Sequence, residues 1–128
     1  MKTLRIEATN RAPAVTFDFD RHHLRIEGES YPEDVPAFYG PIIDALDGYL
    51  GSLGDGRCRF DLSLIYFNSA TAKAIMLLLE KLDEAAAAGA TIDVHWSYDE
   101  EDETMKELGE EFGEDLEHAA FHLEVMNR

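Results

Sequence analysis

Arg59-Phe60-Asp61-Leu62-Ser63-Leu64-Ile65-Tyr66-Phe67, followed by Asn68-Ser69-Ala70-Thr71, is the stretch from which the fold can be read. Phe60, Leu62 and Leu64 alternate with polar residues, and the run then becomes continuously apolar from Leu64 to Phe67. That pattern predicts a central strand covered on both faces. A helix is predicted from about residue 70 to Ala88, with Ile75, Leu78, Leu79, Leu82, Ala85 and Ala86 on one stripe. Gly89 suits the position just past its end, and Thr91 to Trp96 reads as another strand. Strand, helix and strand at this spacing form a right-handed crossover, so at least two strands are parallel.

Working upstream, Asp34 to Leu53 carries Val35, Phe38, Ile42, Leu46, Tyr49, Leu50 and Leu53 at helical spacing. Asp34 is a candidate N-cap, and Pro36 is tolerated in the first turn. Gly40-Pro41 predicts a kink, or a separate turn over residues 34 to 40, because an interior proline has no N–H to donate. Gly51, Gly54 and Gly56 punctuate the exit. Before this helix, Ala14–Phe19 and His23–Glu27 alternate around Asp20-Arg21-His22 and predict an N-terminal hairpin. Leu4-Arg5-Ile6 reads as a further edge strand or as a tail.

Downstream, residues 99 to 117 hold eleven acids against Lys106 alone. Met105, Leu108 and Phe112 give that segment one thin apolar face, so a largely solvated helix on the sheet is expected. Phe121 to Met126 alternates and suits a last strand. No repeat or linker interrupts the chain, and residues 1–128 are expected to form one α/β domain with a mixed sheet and helices packed on it.

Charge narrows the function classes. The 128 residues carry 11 Lys and Arg against 27 Asp and Glu, a formal net charge of −16. Such a surface repels phosphate backbones and anionic lipid, which argues against nucleic-acid and membrane partners. No apolar run is long enough for a span, and no hydrophobic leader opens the chain. A single cysteine, Cys58, cannot form an internal disulfide and suits a reducing cytoplasm.

Enzyme motifs are missing. His22 and His23 are adjacent, so on a strand they would point to opposite faces and could not chelate one metal. His95, His118 and His122 are scattered, the run Asp99–Glu103 lacks a calcium loop's glycine and alternating ligands, and no glycine-rich nucleotide loop is present. Neither a metal nor a cofactor is expected. A hydrolase using His22, His23 or Asp99 and an acidic DNA mimic are the readings from other classes.

Ser69 stands out because it follows the most hydrophobic strand and opens a helix. One reading is structural: Ser69 or Asn68 caps the helix. The other is functional, a hydroxyl on a rigid shelf within reach of a kinase. Tyr66, Asn68 and the loop Tyr31-Pro32-Glu33 would then share a partner-binding face with Ser69. Tyr31 and Pro32 read equally as a rigid turn.

Four ordered motifs tie these elements together: Gly28-Glu29-Ser30-Tyr31-Pro32-Glu33, Ile65-Tyr66-Phe67-Asn68-Ser69, Trp96-Ser97-Tyr98-Asp99 and Gly109-Glu110-Glu111-Phe112. Together they resemble the signatures of the SiaC family, bacterial regulatory phosphoproteins with a fold like the STAS domains of anti-anti-sigma factors. The resemblance runs from about residue 14 to 126. It implies a non-catalytic switch, phosphorylated by a partner Ser/Thr kinase and reset by a PP2C-type phosphatase. The unphosphorylated form would bind and activate a diguanylate cyclase of the GGDEF type, raising cyclic di-GMP and promoting aggregation or biofilm. The acceptor falls on Ser69, after Asn68. The family usually continues with further Ser or Thr, whereas this chain has Ala70 and then Thr71, so Thr71 is the fallback. An anti-anti-sigma factor docking on an anti-sigma kinase is the alternative within the same broad class.

Overall fold

A computed structural model describes residues 2–126. Six strands lie in the order in which the chain makes them: β1 (Leu4–Ile6), β2 (Ala14–Asp18), β3 (His23–Ser30), β4 (Arg57–Phe67), β5 (Thr91–Tyr98) and β6 (Ala120–Val125). The first three are antiparallel neighbours, so the expected hairpin is present and Leu4–Ile6 is a true edge strand. From β3 onward every pairing is parallel. The parallel connections run through α1 (Val35–Leu53), α2 (Ser69–Ala87) and α3 (Glu103–Glu114). Three right-handed crossovers stepping the same way across a sheet place their helices on one face.

Burial follows from that arrangement. Val15 and Phe17, Leu24 and Ile26, Phe60, Leu62 and Leu64, and Ile92, Val94 and Trp96 alternate along their strands and are buried under the helices. Ile42, Leu46, Ile75 and Leu78 meet them from α1 and α2 with no exposed surface. Each such side chain contributes about 1.5–3 kcal/mol by leaving water. The opposite face is polar: register places Thr16, Arg25, Asp61, His95 and His122 side by side across five strands. His23 on this face bonds Asp61, which also accepts from Arg59 at 3.1 Å.

Two expectations need correction. Residues 64–67 are not covered on both sides, since Ile65 and Tyr66 are 56% and 52% exposed. Helices cover only one face, and a register shift pairs Gly28 with Leu64 but Glu29 with Tyr66, so Ile65 is the extra residue of a bulge. Gly28 sits at φ +114° beside it, and β3 continues to Ser30 instead of ending at Glu27. Nor is there a separate turn before Pro41, because α1 runs unbroken from Val35 to Leu53. A side chain before proline disfavours helical backbone, and Gly40 has none to clash. Pro41 is exposed, as is Ala37, whose carbonyl lacks its helical donor and faces water.

Helix ends match the residues found there. Asp34 caps α1 by accepting the N–H of Ala37 at 3.1 Å, and Gly89 follows α2 at φ +122°. The acidic helix is shorter than its charge run: Asp102 caps it by accepting from Met105, and residues 99–102 form a turn. α3 sits unusually near the sheet. A Cβ on Gly109 would lie 2.6 Å from the Trp96 ring, and one on Gly113 2.5 Å from Phe121. Trp96 in turn donates its indole N–H to the Met105 carbonyl at 3.1 Å.

Candidate functional site

At the carboxyl end of β4 the chain turns directly into α2. Asn68 is the N-cap, its side-chain oxygen accepting the Thr71 N–H at 2.8 Å. The cap therefore falls one residue before Ser69. Ser69 becomes the first helical residue, exposed, with no hydrogen bond to its hydroxyl among the described residues.

Thr71 has the opposite environment. It has no exposed surface, and its hydroxyl donates to the Ser30 carbonyl at 3.0 Å. Ser30 Oγ lies 3.1 Å from Thr71 Oγ1 and 2.7 Å from the Tyr39 hydroxyl, joining β3, α1 and α2 through three buried hydroxyls. Burial drives the Tyr39 phenol up to about 12, with the Ser30 bond pulling the other way, so it stays protonated. The Asn68 N–H also donates to the Ser30 carbonyl, at 3.2 Å.

Beside Ser69 the helices part. Ser69, Lys73 and Leu77 on α2 face Pro36, Gly40 and Ile43 on α1 across an apolar groove of about 430 Å³. Leu77 is 48% exposed. A shallower hollow adjoins it, lined by Pro32, Glu33, Asp34 and Asn68. On the sheet side, the Tyr31 and Tyr66 rings meet edge-on with centroids 5.8 Å apart, and the Arg11 guanidinium lies over Tyr31. The Tyr31 hydroxyl donates to the Asn10 carbonyl, so this loop is both a tethered turn and an exposed aromatic surface.

Thus Tyr31, Pro32, Glu33, Tyr66, Asn68 and Ser69 gather around one end of the sheet. The groove residues Lys73, Leu77 and Ile43 were not singled out from sequence. Lys73 carried a legible signal, four residues after Ser69 on one helix face. Leu77 carried one too, since it lies off the stripe of Ile75, Leu78, Leu79 and Leu82 and helical period turns it outward.

Other titratable groups lie elsewhere. His22, at φ +57° in the hairpin turn, bonds the Tyr49 hydroxyl at 2.6 Å. Burial raises the Cys58 thiol to about 11, keeping it protonated and unreactive. Among the described residues no cluster of His, Cys, Asp and Glu could hold a metal, and no helix is long and apolar enough to cross a membrane.

The six-stranded α/β domain thus places a hydroxyl, unbonded among the described residues, at a strand-to-helix turn beside an open apolar groove. The family model described as SiaC family regulatory phosphoprotein matches residues 6–126, and the chain belongs to that family. An uncharacterized protein of Pseudomonas aeruginosa (strain UCBPP-PA14) is 36% identical over 115 residues, covering 90% of each chain. The crystal structure of apo-SiaC from Pseudomonas aeruginosa is similar with a TM-score of 0.86 at 33% identity, covering 99% of this chain and 100% of that one. A chain in the crystal structure of the diguanylate cyclase SiaD in complex with its activator SiaC, from the same species, gives 0.91 at 34% identity, covering 96% and 99%.

Proposed function

We propose that this chain is a phosphorylation-switched, non-catalytic activator of a diguanylate cyclase, acting in the cytoplasm on cyclic di-GMP level and hence on aggregation or biofilm. The carrying observation is the Ser69 hydroxyl, exposed and without a hydrogen bond among the described residues, at the rim of an apolar groove. The SiaD–SiaC complex of a close structural relative supports a cyclase as the occupant. A Ser/Thr kinase writes the phosphate and a PP2C-type phosphatase removes it. Burial of Thr71 favours Ser69 as the acceptor.

The electrostatics of such a switch are sufficient. Phosphate brings about −1.5 to −2 charges, a small change against −16 overall, so its effect is local. A like charge at about 6 Å, with an effective dielectric of about 20, costs about 3 kcal/mol per unit. A closed interface therefore weakens by about a thousandfold. Tyr31, Pro32, Glu33, Tyr66 and Asn68 extend the dock beyond the groove; a basic partner surface is steered toward the acidic chain as a whole, while an acidic group of the partner faces the rim at Ser69 and supplies the like charge.

Pull-down from the source cell, followed by reconstitution with the captured cyclase, tests this reading. Unmodified protein raises cyclic di-GMP synthesis, and protein bearing phosphate at Ser69 does not. Ser69→Ala takes up no phosphate yet still activates, while Ser69→Asp weakens the complex only partly. Capture of a sigma-regulating kinase in place of a GGDEF protein, or phosphate mapped to Thr71, would overturn it.

A further inference from the structure

Lys73 stands one helical turn after Ser69, and both line the groove. Residues four apart on a helix share a face, with Cβ atoms about 5–6 Å apart. Among the described residues Lys73 is the only charged one lining that groove. It is exposed and makes no ion pair among the described residues, whereas Lys81 on the same helix is held by Asp47 at 3.0 Å. On the other side of Ser69, the adjoining hollow presents Glu33 and Asp34. A dianion on Ser69 would meet carboxylates on one side and a single uncommitted ammonium on the other.

We infer that Lys73 is the residue that reads the state of Ser69: once Ser69 carries phosphate, the Lys73 ammonium pairs with it along the groove wall. This rests on the reading of Ser69 as acceptor. With Ser69 unmodified, Lys73 is the single charge on the groove wall, with the carboxylates of Glu33 and Asp34 in the adjoining hollow. After modification, a group of about −2 and the ammonium together leave about −1, so the groove wall changes from positive to negative while the adjoining hollow stays acidic. A lysine suits the task because its ammonium is a mobile point charge on a flexible stem, able to swing from solvent to a new acceptor. Lys73 is thus a positioning residue, holding the phosphate at the rim and away from Glu33 and Asp34.

Phosphoserine installed at position 69 by genetic-code expansion tests the pairing with no kinase or cyclase present. Phosphorus NMR follows the second ionisation of the phosphate, near pH 6 when unperturbed. The midpoint should be about half a pH unit lower in the otherwise wild-type protein than in Lys73→Gln, and Lys73→Arg should restore most of the difference. Acetylation of Lys73, read by mass spectrometry, should also slow when Ser69 is phosphorylated. Equal midpoints with and without the Lys73→Gln substitution, or unchanged acetylation, would overturn the inference. A phosphoserine protein that still activates the captured cyclase would overturn the proposed function instead, and the two failures are read separately.

Discussion

Asn68 and Thr71 are bound side chain to main chain, the Asn68 carboxamide oxygen accepting the Thr71 N–H at 2.8 Å. This bond assigns the cap to Asn68 and spares the hydroxyl of Ser69. Asn68→Ala should lower stability by about 1 kcal/mol in urea denaturation, and Asn68→Asp should nearly preserve it. Thr71→Val, which keeps the shape and removes the hydroxyl, should cost about 1–2 kcal/mol while leaving phosphate uptake unchanged. Full loss of phosphate from Thr71→Val with the fold intact would place the acceptor on Thr71.

Two glycines that look alike in sequence should respond with opposite signs. Gly109→Ala drives a methyl into Trp96 and Leu123, and should cost about 1–3 kcal/mol by thermal denaturation. Gly48 lies on the exposed face of α1, and a methyl added there would meet open space. Gly48→Ala should raise stability by about 1 kcal/mol.

The groove can be tested apart from the phosphate. Leu77 is half exposed, so Leu77→Gln should leave the melting temperature nearly unchanged. Affinity for the captured cyclase should fall about tenfold, the equivalent of losing burial of one leucine face. Unaltered affinity would move the dock elsewhere.

Asp83 supplies a pH dependence. Burial pushes its carboxyl upward, but backbone N–H groups of Ala119, His118 and Glu117 outweigh that and hold it below the ordinary range. A carboxylate depressed in the folded state adds stability above its unfolded pKa, and that stability is lost as pH falls through the folded value. Wild type should therefore lose stability below about pH 4 more steeply than Asp83→Ala. At neutral pH the variant should be weaker by about 1–2 kcal/mol. Parallel acid denaturation curves would refute the assignment.

How much of this was readable in advance depended on whether the cause was local. The strand-helix-strand unit, the Asp34 cap and Gly89 rest on period and on one residue's chemistry, and sequence carries both. The exposure of Ile65 and Tyr66 comes from a register shift against β3, which lies beyond the whole of α1 in the chain, and period alone points the other way. Thr71 and Ser30 are ordinary hydroxyl residues until α2 is laid against β3. Pro41 signalled a break that Gly40, beside it, removed. Ser69 was visible as a helix-start hydroxyl, but its freedom depended on which neighbour took the cap.

The buried hydroxyl chain of Thr71, Ser30 and Tyr39 has a consequence for how information leaves this molecule. It rivets the ground beneath Ser69 to three separate elements, so there is no hinge under the modified residue for a signal to bend. The written and erased forms should superimpose, and backbone amide exchange around residues 30, 39 and 71 should be the same in both. The message is carried as a change of complexion on a stiff body, legible only to a protein that touches it.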